Sequence, residues 1–307
     1  MCIRDRLRYF EHLAHHRHFG RAAEAAAISQ PALSMQIREL EETLGLALVE
    51  RAPRMLRLTA FGEDFLIRAR ALLRQADELE DLARAARGQL AGRLRIGIIP
   101  TVAPYLLPGL IGRLTADYPS LELNLRETLT PRLIRDLADG RLDCAVLALP
   151  VSEPAFEEAA LFSETFVLVR PEADAGKPVP DREALREMRL LLLEEGHCFR
   201  DQALSFCSRN AALPRELMDG SSLSTLVQMV GAGIGVTLIP EMAVPVETRS
   251  AAVSVAAFPA PQPSRTIGMI WRKTSPLAPQ LRQIAEVVRA AGPVSYTHLR
   301  AHETVLD

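Results

Sequence analysis

Four cysteines, Cys2, Cys144, Cys198 and Cys207, carry the widest chemical reach in this 307-residue chain. A thiol becomes a nucleophile and a target for oxidants only as its thiolate, and a free cysteine with a pKa of about 8.5 is mostly protonated at neutral pH. His197 and Arg200 flank Cys198 and are of the types that favour the anion. Cys144 lies between Asp143 and Ala145 in an apolar run, so it reads as a buried, inert thiol. No Cys-x-x-Cys pair and no Cys/His cluster with zinc spacing occurs, so no metal site is expected. The separation of Cys198 and Cys207 is wider than any metal or thioredoxin motif. By residue type alone they are two unrelated thiols in a reducing compartment.

Gln30, Ser34 and Arg38 form the second constellation, and the elements that position them are legible. Leu7, Phe10 and Leu13 make one helical face, and Arg21 to Ala27 make a short second helix. Ser29 suits an N-cap and Pro31 the first turn of a third helix, whose apolar face is Leu33, Ile37, Leu40 and Leu44 before a C-cap at Gly45. Three short helices with a tight turn before the last describe a helix-turn-helix. Gln30, Ser34 and Arg38 then lie on the outer face, with Gln and Arg suited to adenine and guanine edges. Two short strands, Leu48 to Arg51 and Met55 to Thr59, read as a wing that offers Arg51 and Arg54 to phosphates. Residues 1–60 hold nine Arg against seven Asp plus Glu, a balance compatible with phosphate contact.

From Thr59 to about Arg87 the pattern is one long helix. Phe65, Ala69, Leu72, Ala76, Leu79, Ala83 and Ala86 recur at alternating steps of four and three, the period that packs one helix on another, so this stretch is read as a dimerisation helix. Gly88 and Gly92 mark a hinge. Beyond them, strand-like runs at 94–99, 121–125, 142–149, 166–169, 190–193, 236–239 and 267–271 alternate with helical stretches, an α/β region with mainly parallel sheet. The domains read as residues 1–59, a linker at 60–90, and a regulatory region at 91–292. Residues 1–6 and 294–307 break the pattern of their neighbours, and Gly292-Pro293 is expected to stop the last helix.

The composition, 48% hydrophobic and 24% charged with net charge −2, is that of an ordinary globular protein. No run of about 18 uncharged apolar residues occurs, and the first residues lack a secretory apolar segment, so no membrane contact and a cytoplasmic location are expected.

Phe19-Gly20-Arg21-Ala22-Ala23-Glu24, Ser29-Gln30-Pro31-Ala32-Leu33-Ser34, Gln36-Ile37, Leu40-Glu41, Leu44-Gly45, Glu50-Arg51 and Leu58-Thr59 resemble the winged helix-turn-helix of LysR-type regulators. The segment Gly196-His197-Cys198-Phe199-Arg200-Asp201-Gln202-Ala203 with Phe206-Cys207 resembles the reactive segment of the hydrogen-peroxide-sensing members. So do Ile98 to Val102, Pro104 to Pro108, Leu142-Asp143-Cys144, Gly231 to Pro240 and Arg265 to Gly268. The resemblance spans about residues 7–292, with a slightly short stretch near Asp174 to Pro180, and Phe61 stands where many relatives have a small residue.

The resemblance implies a homodimer or homotetramer on promoter DNA, with RNA polymerase as a further partner and no cofactor. Gln30, Pro31, Ser34, Gln36, Arg38, Arg51 and Arg54 would face DNA. The regulatory region would have the two-lobed α/β fold of periplasmic binding proteins, lobe I at about 91–164 and 266–292 and lobe II at about 165–265, with the chain crossing twice. Cys198 would be oxidised by hydrogen peroxide and then bonded to Cys207, within a pocket of Thr101, Thr130, His197, Asp201 and Arg265. The alternative within the family is a regulator that answers a small organic effector between the lobes. A thiol peroxidase is disfavoured by the helix-turn-helix, which such an enzyme does not need. An exported solute-binding protein is disfavoured by the missing leader.

Overall fold

A computed structural model describes residues 2–51, 56–86, 90–207 and 216–300, without the side chains of Arg51, Cys207, Glu216, Leu217 and 293–300. The chain divides into two compact units, residues 1–83 and 84–307. In the first, α1 (Ile3–His16), α2 (Phe19–Ala25) and α3 (Gln30–Leu44) enclose Phe10, Leu13, Ala22, Leu33, Ile37 and Leu40. The antiparallel pair β1 (Val49–Arg51) and β2 (Leu56–Leu58) follows, then α4 (Ala60–Ala86).

The helix ends follow from side-chain chemistry. His18 Nδ1 accepts from the Gly20 and Arg21 N–H groups and so caps α2. Ser29 Oγ accepts from Ala32 N at 3.3 Å, and Gly45 closes α3 in the left-handed region. Thr59 Oγ1 accepts from Gly62 N at 2.9 Å and donates to Ala47 O at 2.8 Å, which starts α4 where expected. A Cβ on Gly62 would stand 2.1 Å from Leu48 O, so only glycine lets α4 approach the wing. The first turn of α1 corrects one expectation. Residues 3–6 continue the helix, and Arg4 pairs with Asp77 at 2.9 Å and Glu80 at 2.7 Å, while Arg6 pairs with Glu39 at 2.7 Å.

The second unit is built on one mixed sheet. Its elements in chain order are β3 (Gly92–Ile98), α5 (Ala103–Asp117), β4 (Leu121–Glu127), α6 (Thr130–Ala138), β5 (Cys144–Leu149), β6 (Phe156–Pro171), α7 (Arg182–Glu187) and β7 (Arg189–Leu193). Then come α8 (Cys198–Cys207), β8 (Glu216–Gly220), α9 (Leu223–Gly231), β9 (Val236–Pro240), α10 (Val244–Glu247), β10 (Val253–Ala257), β11 (Ser264–Arg272) and α11 (Ala278–Arg300). The sheet order is β4-β3-β5-β11-β6-β9-β7-β8, with β10 also on β6.

The sheet is mixed rather than mainly parallel. Each outer set (β4-β3-β5 and β9-β7-β8) is parallel, but β6 and β11 run antiparallel to their neighbours. Those two strands carry the chain between the halves. Residues 156–165 of β6 pair with β11, and from Phe166 onward β6 pairs with β9 and β10. The first half of β6 escaped the sequence reading because Glu157-Glu158-Ala159-Ala160 interrupts its apolar residues and leaves a weak strand signal. Edge strands β8 and β10 were missed as well, each only five residues long. Gly292-Pro293 does not stop α11, which continues to Arg300. Gly292 instead serves a close approach, since a Cβ there would meet Phe162 Cδ1 at 2.5 Å. A proline removes one helical hydrogen bond, which a helix packed along its length can absorb. Among the described residues, no helix is long and apolar enough to cross a membrane.

Candidate functional site

Arg265 on β11 and Glu164 on β6 stand directly opposite in the strand register, at the point where the chain crosses between halves. Both side chains are fully buried, and Arg265 Nε donates to Glu164 Oε1 at 2.6 Å. The rest of the guanidinium reaches Thr101, between β3 and α5. Nη1 donates to Thr101 Oγ1 at 2.9 Å and Nη2 to Thr101 O at 3.1 Å. A buried ion pair persists only when its remaining donors and acceptors are engaged, and here Thr101 engages them. The guanidinium carbon lies 5.1 Å from the centroid of Phe199, whose ring meets Phe166 edge-on at 4.8 Å. Arg265 therefore ties three chain segments to the residue that follows Cys198.

Cys198 is the first residue of α8 and is half-buried. The free N–H groups and dipole at a helix start favour negative charge. Gly196 turns the chain into this helix with φ +95°, and a Cβ there would meet Leu129 Cδ1 at 3.1 Å. That contact sets the 196–198 segment beside the start of α6, where Thr130 Oγ1 is buried with no hydrogen-bond partner among the described residues. Gln202 lies one turn along α8 on the Cys198 face, and its buried Oε1 also finds no partner among them. A small molecule with both donors and acceptors would satisfy such groups.

His197 is buried, and burial pulls its pKa below the ordinary histidine value while Glu194 partly opposes the shift. It is therefore neutral at neutral pH, one donor and one acceptor rather than a cation beside the sulfur. Arg200 does not serve the thiolate as expected. It donates to Leu193 O at 2.7 Å and pairs with Asp219. Asp201 is exposed. Cys144 is fully buried, and burial, reinforced by Asp143, pushes its thiol far up, which keeps it protonated and inert. Cys207 ends α8, and its side chain lies outside the described residues.

The structure thus brings Thr101 and Arg265 together beside Phe199, and sets Thr130 near Gly196. Sequence reasoning passed over Glu164, and it placed Phe199 and Gln202 in the reactive segment without a role in the pocket. A glutamate within a strand that turns its face inward is the one signal available for Glu164, because a buried carboxylate needs a partner.

His197 gives a pH test. Its lowered pKa means that stability is full above the unfolded value, about 6.5, and is lost as pH falls through the folded value. The urea midpoint of the parent should fall along that acid limb, and His197→Gln should flatten it. Parallel limbs in the two proteins would refute a buried neutral imidazole.

On the first unit, Gln30, Pro31 and Arg38 are exposed on the outer face of α3 and Ser34 is half-buried there. Gln36 is a correction: it is buried, and its Oε1 accepts from Arg6 Nε at 3.3 Å, so it holds α1 to α3 instead of facing outward. Arg54 and the Arg51 side chain lie outside the described residues. The α4 stripe splits in two. Ala69, with Leu66 and Leu73, is buried, and Ala69 and Leu73 cluster with Leu7 of α1, with Phe65 packed against the same group. Leu72, Leu79 and Leu82 are 56%, 69% and 57% exposed, with Ala76 half-buried.

Two family models match this chain, the bacterial regulatory helix-turn-helix protein of the lysR family over residues 4–63 and the LysR substrate binding domain over 87–293. The DNA-binding transcriptional dual regulator OxyR of Escherichia coli K12 is 43% identical over 295 residues, which cover 94% of this chain and 95% of that one. A probable hydrogen peroxide-inducible genes activator of Streptomyces viridosporus is 43% identical over 289 residues, 93% of each chain. Among solved structures, a full-length Cys-to-Asp variant of OxyR from Pseudomonas aeruginosa matches with TM-score 0.73 and 37% identity, covering 94% of this chain and 95% of that one. A hydrogen-peroxide-bound Cys-to-Ser variant of Corynebacterium glutamicum OxyR matches with TM-score 0.69 and 35% identity, over 97% and 95%. With a winged helix-turn-helix joined to a regulatory unit of mixed sheet, and with relatives this similar over nearly the whole length, the chain belongs to the LysR family of bacterial transcriptional regulators, in its OxyR group.

Proposed function

We propose that this regulator senses hydrogen peroxide through Cys198, and that a Cys198–Cys207 bond is the signal it passes to DNA. The observation that carries the reading is the placement of Cys198 at the start of α8, beside buried polar groups without a hydrogen-bond partner among the described residues and next to the Arg265–Thr101 cluster. The Cys198 thiolate attacks one peroxide oxygen, the O–O bond breaks, and hydroxide leaves while Cys198 becomes a sulfenic acid. The Cys207 thiolate then attacks that sulfur, forms the disulfide and expels hydroxide, so two thiols and one peroxide yield one disulfide and two waters. Thr101, Thr130, His197 and Arg265 donate to the peroxide and the departing hydroxide, the task for which donors in a water-poor site are suited, and Asp201 accepts from a peroxide O–H.

The helix makes the chemistry a switch. The two cysteines are the first and last of the ten residues of α8, nine steps and so roughly 13 Å apart at about 1.5 Å per residue. A disulfide needs Cα atoms within about 7 Å. Bonding therefore unwinds part of α8, and the oxidised and reduced proteins differ in local fold. Thiol titration of the denatured protein tests this: one equivalent of peroxide should lower the titratable cysteines from four to two, with dithiothreitol restoring four. Four thiols remaining after peroxide would instead favour an organic effector as the signal.

The protein acts in the cytoplasm as a homodimer or homotetramer on promoter DNA, in reach of RNA polymerase. Its domains are residues 1–59 for DNA, 60–90 as linker and 91–292 for regulation. Leu72, Leu79 and the neighbouring Leu82 cover one another across the α4 pair, because so long an exposed apolar stripe is a liability in a lone chain. Leu72→Glu should lower the mass seen by sedimentation and weaken duplex binding at least about 10-fold, as loss of a paired second site does. A Leu72→Glu protein of parental mass would remove α4 as the dimerisation element.

A further inference from the structure

Helix α3 has one face fully buried (Leu33, Ile37 and Leu40) and an opposite face that contains an unexpected side chain. Met35 is 53% exposed there, one turn after the exposed Pro31 and one turn before Arg38, and the polar readers Gln30 and Ser34 flank this apolar strip. Charge along the helix is lopsided. Residues 30–38 carry no acid, whereas Glu39, Glu41 and Glu42 crowd the C-terminal part. Glu39 is held by Arg6, and Glu41 accepts from the Leu48 and Val49 N–H groups, so both are fixed inside the unit. Phosphates would repel the C-terminal part and accept the N-terminal half, which is where Met35 sits.

We infer that Met35 is a specificity residue that reads the C5-methyl group of a thymine in the major groove. Thymine is the one base that presents a methyl group there, and an apolar side chain is what contacts it. The unbranched thioether adapts to an irregular contact without a fixed rotamer. The inference rests on α3 being the helix that enters the groove.

The test begins with a randomised duplex library and selection by the parent, Met35→Ala, Met35→Leu and Arg38→Ala proteins, all full length. In the site recovered by the parent, each thymine is then replaced singly by deoxyuridine, which deletes only the methyl group. The parent should bind about 4-fold more weakly at one thymine per half-site, the effect of one buried methyl-sized group. Met35→Ala should lose that penalty and select T there less strongly than the parent does, while Met35→Leu keeps both the penalty and the preference. Met35 is exposed, so its variants should melt with the parent. If Met35→Ala keeps the parental uracil penalties and the parental consensus, the thymine contact is wrong while α3 stands. If Arg38→Ala also selects and binds like the parent, the placement of α3 in the groove fails, and the inference with it.

Discussion

Cys198→Ser is expected to leave all three remaining thiols titratable after one equivalent of peroxide, where the parent loses two of four. Cys144 and Cys2 are not placed to take the first step as Cys198 is. Cys144 is sealed in the core with its thiol pushed far up by burial, and Cys2 is an exposed thiol at the start of α1, outside the regulatory unit. Cys207→Ser separates the two steps, because peroxide should still oxidise Cys198 but the sulfenic acid has no resolving thiol and persists or over-oxidises. Trapping with a sulfenic-selective probe should therefore label Cys207→Ser strongly, the parent briefly, and Cys198→Ser not at all. Equal labelling of Cys198→Ser and parent would place the reactive sulfur elsewhere.

Arg265→Ala is expected to have the largest effect on stability, about 3–5 kcal/mol, because it takes a fully buried guanidinium away from both the Glu164 carboxylate and Thr101. In a domain of this size that lowers Tm by roughly 2–4 °C for each kcal/mol. It also removes both donors to Thr101 and the cation over Phe199, so peroxide oxidation of Cys198 should slow as well. The double variant Arg265→Ala with Glu164→Ala should recover part of the stability, since the buried carboxylate goes with its guanidinium, but not the oxidation rate. A double variant as unstable as Arg265→Ala alone would show that the ion pair is not what the single change breaks.

Much of the first unit was legible because its signals are local. Ser29, Pro31, Gly45 and Thr59 set helix ends within a few residues of themselves, and the Leu33-Ile37-Leu40 spacing sets which face is buried. Gln36 was misjudged because nothing near it in sequence discloses Arg6, thirty positions earlier, as its partner. The long helix misled in a related way. The spacing reads as a single 4-3 repeat from Phe65 to Ala86, but Ala69 turns toward Leu7 of the same unit while Leu72 and Leu79 stay exposed. The crossing strands were harder still. Glu164 and Arg265 face each other only through the register of β6 and β11, a pairing across 101 positions that no local pattern encodes. The family resemblance supplied Arg265 and Thr101, and the structure supplied the carboxylate that holds them. Arg200 shows the converse, a neighbour of Cys198 in sequence that is committed to Leu193 and Asp219 in space.

Peptide mapping under non-reducing conditions, on the full chain after one equivalent of hydrogen peroxide, bears most directly on the central claim. The account predicts one cross-linked species joining the peptides of Cys198 and Cys207, lost on reduction, with Cys144 recovered as a free thiol. A bridge through Cys144 with Cys198 still reduced, or Cys198 and Cys207 both recovered as free thiols, would contradict it.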